Sequence, residues 1–280
     1  MFCFIVMIGC QGIIGGVSSI VAGYNNAMQA DQENDAAVSD SEAADQNASS
    51  EAEGQSDIMS LLTLPLAEVG GLVAVCVVVF LFAVFDKRKV RDILALKKVA
   101  PSSFGFASLL AFCYGAVAMG FIALVQSLVD TGYSEATSTI TSGNILITAI
   151  CSCILAPVIE ELIFRAAAFR FAGELMPKIA AAIVSSIFFA LAHGLNPVWF
   201  CYTFVMGLIS CWLVEKYRSI LPSILFHMVF NLLGGVIIPN TPDVVGTVYL
   251  IVGLLSSVIL AVVLITKNLK SRTEQSIAEA

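Results

Sequence analysis

Charge is what this sequence has least of. Only 12% of its 280 residues are Asp, Glu, Lys or Arg, against 58% hydrophobic, with a mean hydropathy of +0.91. Soluble domains carry roughly a quarter of their residues charged, so water is not the main solvent of this chain. Histidine is scarcer still: His193 and His227 are the two. Lys and Arg are missing altogether from residues 24–60, 130–142, 194–198 and 239–245. No glycine-rich stretch runs into Lys-Ser or Lys-Thr, which excludes a phosphate-binding loop, and no nucleic-acid partner is expected. Cysteine is absent from every polar connection. Cys3, Cys10, Cys76, Cys113, Cys151, Cys153, Cys201 and Cys211 all fall in apolar runs, so no disulfide framework is indicated. Cys151 and Cys153 are two apart and point to different helix faces, which argues against a metal pair.

What the chain does have is length without charge. A membrane-spanning helix needs about 20 mostly apolar residues, because the hydrocarbon core is roughly 30 Å thick and each residue rises about 1.5 Å. Runs near 2–23, 61–85, 104–129, 143–172, 178–195, 198–214, 220–238 and 246–266 are expected as helices. They are continuous and not alternating, which argues against a β-barrel. The expected fold is therefore all-α, a polytopic transmembrane bundle of about eight spans. The break between the fifth and sixth runs rests on Gly194, Asn196 and Pro197 alone.

The formal net charge of -7 does not describe the helical body. Residues 31–57 hold nine acids and no base, which leaves twelve acids against fourteen bases elsewhere. That stretch is rich in Ala, Ser, Gln and Asn and has too little apolar surface for a core, so 24–60 is expected to be a disordered linker. The bases segregate to alternate connections: Lys87 to Lys98, Arg165 to Lys178, Lys216 with Arg218, and Lys267 to Arg272. By the positive-inside rule this places both termini in the cytoplasm of a multi-pass cell-membrane protein, with the linker outside. The expected organisation is a helix at 1–23, also readable as a signal segment because of Ala27 to Ala30 although it lacks a basic start; the linker; a helical membrane domain at 61–270; and a tail at 271–280. Residues 86–98 mix bases with an apolar face, which suits the anionic inner leaflet or a topology signal.

Ionisable groups within the apolar runs are few and are costly there, so they face a cavity and find partners. In Pro157-Val158-Ile159-Glu160-Glu161-Leu162-Ile163-Phe164-Arg165 two adjacent carboxylates diverge by about 100° around a helix and so do different jobs. Glu161 and Arg165, four apart, suit an ion pair, which frees Glu160. His193 closes a second apolar run after Phe189, and His227 with Asn231 shares one face of a third. If the turn between the fourth and fifth helices is 173–177, Glu160 and His193 each stand roughly 23 to 27 Å from it and are nearly level. His227 lies close to Pro222, so that hairpin has to project further out for all three to meet.

Glu-Glu-x-x-x-Arg, Phe-x-x-x-His and His-x-x-x-Asn occur in that order on three helices. The ordered set resembles the CAAX prenyl protease and bacteriocin-processing family, which includes the type II CAAX prenyl endopeptidases, over residues of about 100–240. The resemblance implies an eight-helix intramembrane endopeptidase open to the cytoplasm, acting on a peptide or protein substrate that is lipidated or membrane-embedded. Glu160 then matches the catalytic glutamate, Glu161 and Arg165 its supporting neighbours, His193 the second motif, and His227 with Asn231 the third. Glu160 and His193 can activate water and supply a proton, and His227 and Asn231 can donate to the oxyanion. Glu160, His193 and His227 also form a two-His, one-carboxylate set suited to zinc, although the paired histidines of His-Glu-x-x-His are missing. Two other classes compete. One is a non-catalytic membrane scaffold or bacteriocin-immunity protein of the same fold, against which the intact polar set argues. The other is a proton-coupled transporter, against which the lack of an internal repeat argues.

Overall fold

The computed structural model describes residues 69–73, 75–77, 80, 84, 89, 92, 94–129, 131 and 145–279. The expected first helix, the acidic linker and the signal-segment question lie outside the described residues. Among the described residues, 69–73, 75–77, 80 and 84 are helical, and six further helices follow in order: α1 Pro101–Leu128, α2 Ile145–Leu175, α3 Lys178–Ala192, α4 Pro197–Tyr217, α5 Leu221–Asn240 and α6 Asp243–Glu279. There is no strand among the described residues. The protein is an all-α bundle of membrane-spanning length, as its composition requires.

The count of eight spans is adjusted. Among the described residues five helices, α1, α2, α4, α5 and α6, are long and apolar enough to cross a membrane, whereas α3 has 15 residues and spans only about 22 Å at 1.5 Å per residue. The cause is local. Gly194 takes a left-handed φ of +118°, which ends α3, and Asn196 caps α4 by accepting from the backbone N–H of Val198 at 3.0 Å and of Trp199 at 3.3 Å, with Pro197 in the first turn. Prolines open other elements in the same way: Pro101 at the start of α1 and Pro222 near the start of α5, where a missing N–H costs nothing.

α2 is wound unevenly. Cys151–Leu155 and Leu162–Phe169 are π-helical and flank the α-helical turn Ala156–Glu161. The ring of Pro157 crowds the carbonyl four residues earlier, at Cys153, and the wider π turn gives that carbonyl room. The two glutamates thus sit on a short regular turn between two widened ones.

The core is aromatic where the helices cross. Phe164, Phe189, Phe226, Met206 and Leu213 are buried together. Small residues let helices approach: a Cβ on Gly207 would lie 2.8 Å from Ser186, and one on Gly253 would lie 2.3 Å from that of Ala116. Buried hydroxyls bond across the seams, Tyr114 Oη to the Tyr202 carbonyl at 2.5 Å and Ser185 Oγ to that of Phe164 at 2.8 Å. In a lipid solvent, close approach and such bonds hold helices together. The outer face of α6, including Leu255, Val258, Ile259 and Val262, is exposed and apolar, as a lipid-facing surface is. Residues 94–100 are not helical. They wrap the α4–α5 turn instead, with the Ile220 N–H donating to the Ala95 carbonyl at 3.2 Å and Ser219 Oγ to that of Lys97 at 2.8 Å.

Candidate active site

Glu161 is completely buried and has three partners. Arg165 Nη1 lies 3.3 Å from its Oε1, Ser223 Oγ donates to its Oε2 at 2.5 Å, and His227 Nδ1 lies 3.2 Å from Oε1. One carboxylate therefore fastens α5 to α2. Arg165, also fully buried, lies over the Phe189 ring with Cζ 4.1 Å from the centroid, a cation–π contact that is strong when desolvated. None of its guanidinium nitrogens makes an aligned hydrogen bond among the described residues, so the ion pair and the ring face hold it. The expected pairing of Glu161 with Arg165 is present.

Glu160 points elsewhere, as adjacency on a helix requires. Its Oε2 lies 3.6 Å from His193 Nε2 and 3.7 Å from His227 Nε2, so residues from α2, the end of α3 and α5 meet at one oxygen. That oxygen is buried and has no hydrogen-bond partner among the described residues. The side chains of Glu160 and His193 are each 24% exposed while that of His227 is 1% exposed, so the cluster is open on the Glu160 and His193 side and closed behind His227.

The ring tautomers follow from the partners. His193 Nδ1 is 2.8 Å from the Phe189 carbonyl, which can only accept, so Nδ1 carries the hydrogen and the neutral ring presents a bare Nε2. His227 Nδ1 faces the acceptor Oε1 of Glu161 at 3.2 Å, so in the neutral form of the ring Nδ1 carries the hydrogen and Nε2 turns its lone pair to Glu160. Two imidazole lone pairs and one carboxylate oxygen converge, and an acceptor cluster of this kind is satisfied by a water donating both hydrogens or by a cation. Phe189 keeps both rings upright, with centroids 4.5 Å from His193 and 5.7 Å from His227.

Asn231 is brought to the same seam but differently engaged. Its Nδ2 donates to the Ser152 carbonyl at 2.8 Å, inside the first π-wound turn of α2. Ser223 and Phe189 belong to the site although neither was predicted for it. The signal for Ser223 was its place four residues before His227, on the same face.

For zinc, the donor chemistry suits: both imidazoles have Nδ1 engaged and Nε2 free, the usual arrangement of ligating histidines. The separations are wider than the edge of about 3.3 Å implied by tetrahedral bonds of 2.0–2.1 Å, and no group of three His, Cys, Asp or Glu among the described residues is arranged to hold a metal as it stands.

Fold and cluster together define a class: a polytopic helical membrane protein with a carboxylate–imidazole centre buried among its helices. Within that class, residues 142–233 match the family model of the Type II CAAX prenyl endopeptidase Rce1-like proteins, which is the resemblance the three blocks carry. The chain is also 33% identical over 84 residues to the UPF0177 protein YxdF of Lactococcus lactis subsp. lactis (strain IL1403). That match covers 29% of this chain and 45% of YxdF, so the chain spans less than half the length of this curated relative. No solved structure matches.

Proposed function

We propose that the chain is an intramembrane endopeptidase of the CAAX prenyl protease type, hydrolysing a peptide bond in a peptide or protein substrate that reaches it through the bilayer, lipidated substrates included. The observation behind this reading is the convergence of Glu160 Oε2 with His193 Nε2 at 3.6 Å and His227 Nε2 at 3.7 Å. A water held there donates one hydrogen to Glu160 and one to an imidazole. Its oxygen attacks the scissile carbonyl carbon while its proton passes to Glu160. The tetrahedral intermediate collapses as the C–N bond breaks, and the amine takes that proton from Glu160 or by way of His193. The oxyanion is met by the second Nδ2 hydrogen of Asn231 and by an Nε2–H of His227, whose proton is taken from solvent before the water adds and stays on the ring through the step. Glu161 and Arg165 do not touch the substrate; they hold His227 in its tautomer. On the charge pattern, the site opens toward the cytoplasm.

The two bare Nε2 atoms also favour a second reading of the same centre. A divalent cation such as zinc would take Glu160, His193 and His227 as ligands, and when bound it would polarise the carbonyl and acidify its water.

The test compares the wild-type chain with Glu160→Gln in membrane fractions, with proteomics reporting N- or C-terminally trimmed peptides. Loss of a general base costs about 10²- to 10⁴-fold in rate, so trimmed products should vanish in the variant. Equal trimming in both would overturn the protease reading and leave a scaffold, immunity or transport role.

A further inference from the structure

A cavity apart from the Glu160 cluster lies at the far end of the α2–α3 hairpin. Its volume is about 260 Å³, and its charged lining consists of Lys97, Arg170, Lys178 and Arg218 against Glu174 and Glu215, four bases to two acids. The balance is lopsided in detail as well. Lys178 and Arg218 share the single carboxylate of Glu215. The hollow therefore carries an excess of about two positive charges. Part of its wall is apolar, from Phe169 and Val214.

Its position is fixed by a neighbouring feature of α4. Lys216 Nζ lies 4.6 Å from the ring centroids of both Phe106 and Trp212 and 5.6 Å from that of Tyr217. A Trp–Tyr group bracketing a lysine at a helix end marks the level where hydrocarbon gives way to headgroups. Val214 and Glu215 line the cavity from the same turn of α4, so the cavity opens at that level. Two further details suit a binding role. Arg218 adopts a left-handed φ of 53°, unusual for a residue with a Cβ, and Gly173 leaves open space, since a side chain added there would meet no atom within 4 Å.

We infer that this cavity binds a phosphate-bearing anion, and that the anion is the headgroup of an anionic membrane lipid. The basic rim takes the phosphate, the apolar wall takes the start of the acyl region, and the aromatic belt sets the depth. The inference does not depend on the hydrolytic reading, because Glu160 and the two histidines take no part in it.

The test uses the purified full chain in neutral detergent, titrated with short-chain phosphatidylglycerol, short-chain phosphatidylcholine or inorganic phosphate, with the thermal unfolding midpoint as readout. Phosphatidylglycerol should raise the midpoint at concentrations where the other two do not. Each base near a lipid surface contributes about fivefold in affinity, so Lys97→Ala should weaken the response about fivefold. Gly173→Leu, which fills the hollow and keeps every charge, should abolish it. Lys270→Ala, a base outside the cavity, should leave it unchanged. An equal response to phosphatidylcholine, or an undiminished response in both cavity variants, overturns the site. A response to inorganic phosphate equal to that for phosphatidylglycerol overturns the lipid as its source.

Discussion

Glu161 shows how one buried anion sets the chemistry of a neighbour it does not resemble. It touches Arg165, Ser223 and His227 at 3.3, 2.5 and 3.2 Å, and through the last of these it determines which nitrogen of His227 faces Glu160. Removing a buried partner costs more than the bond it made, since the remaining charge stays out of water. Arg165→Met should therefore lower stability by about 3–5 kcal/mol, read as a fall in thermal unfolding midpoint beyond that of exposed-site controls. Ser223→Ala removes one donor from the same carboxylate and should cost about 1–3 kcal/mol. Because Ser223 is a positioning residue, its loss should lower kcat with little change in KM, and Ser223→Thr should restore much of it. An unchanged kcat in Ser223→Ala would show that the Glu161 anchor needs no hydroxyl. At this scale the sequence was informative: four-residue spacing paired Glu161 with Arg165 and left Glu160 free. It did not show that Asn231 would spend a hydrogen on the Ser152 carbonyl, because that acceptor is a backbone group exposed by a π turn, not by a residue type.

Among the elements, α3 is the one whose length matters most. It is too short to span the bilayer, and that shortness sets His193 at a helix end rather than mid-helix. Its packing on α4 is tight: a Cβ at Gly207 would meet Ser186 at 2.8 Å. Gly207→Leu should push α3 off α4 and carry His193 away from Glu160. Overpacking costs about 1–3 kcal/mol, and the loss of cleavage in the assay above should exceed what that stability loss explains. Full cleavage in a folded Gly207→Leu chain would show that the α3–α4 seam does not position the histidine. The expected boundaries of this pair, 178–195 and 198–214, differ from the observed ones by a few residues, since hydropathy does not register the left-handed turn at Gly194.

Across the whole molecule, the site exists only because α2, α3 and α5 are offset along their axes. Glu160 lies about 23 Å from the end of α2 and His227 about 9 Å from the start of α5 at 1.5 Å per residue, yet their side chains are 3.7 Å apart. The α2–α3 hairpin therefore reaches well beyond the start of α5, the projection that the sequence required if its polar groups were to meet. The same offset creates the basic cavity between the hairpin and the α4–α5 turn. If a metal acts at the centre, a strong chelator should abolish cleavage and zinc should restore it in the wild-type chain. Cleavage that persists after exhaustive chelation would assign the chemistry to Glu160 and the imidazoles alone.

By itself, the sequence determined the solvent, the helical class and the short set of polar residues that had to cluster. Each follows from how few charges the chain carries and from the cost of placing those few in hydrocarbon. The tertiary structure alone decided which atoms face one another: that both Nε2 atoms turn to Glu160, that Ser223 joins Glu161, and that four bases surround one hollow. Those outcomes depend on helix offset, π winding and ring orientation. Such quantities arise from packing between segments far apart in the chain, and no local pattern of residues encodes them.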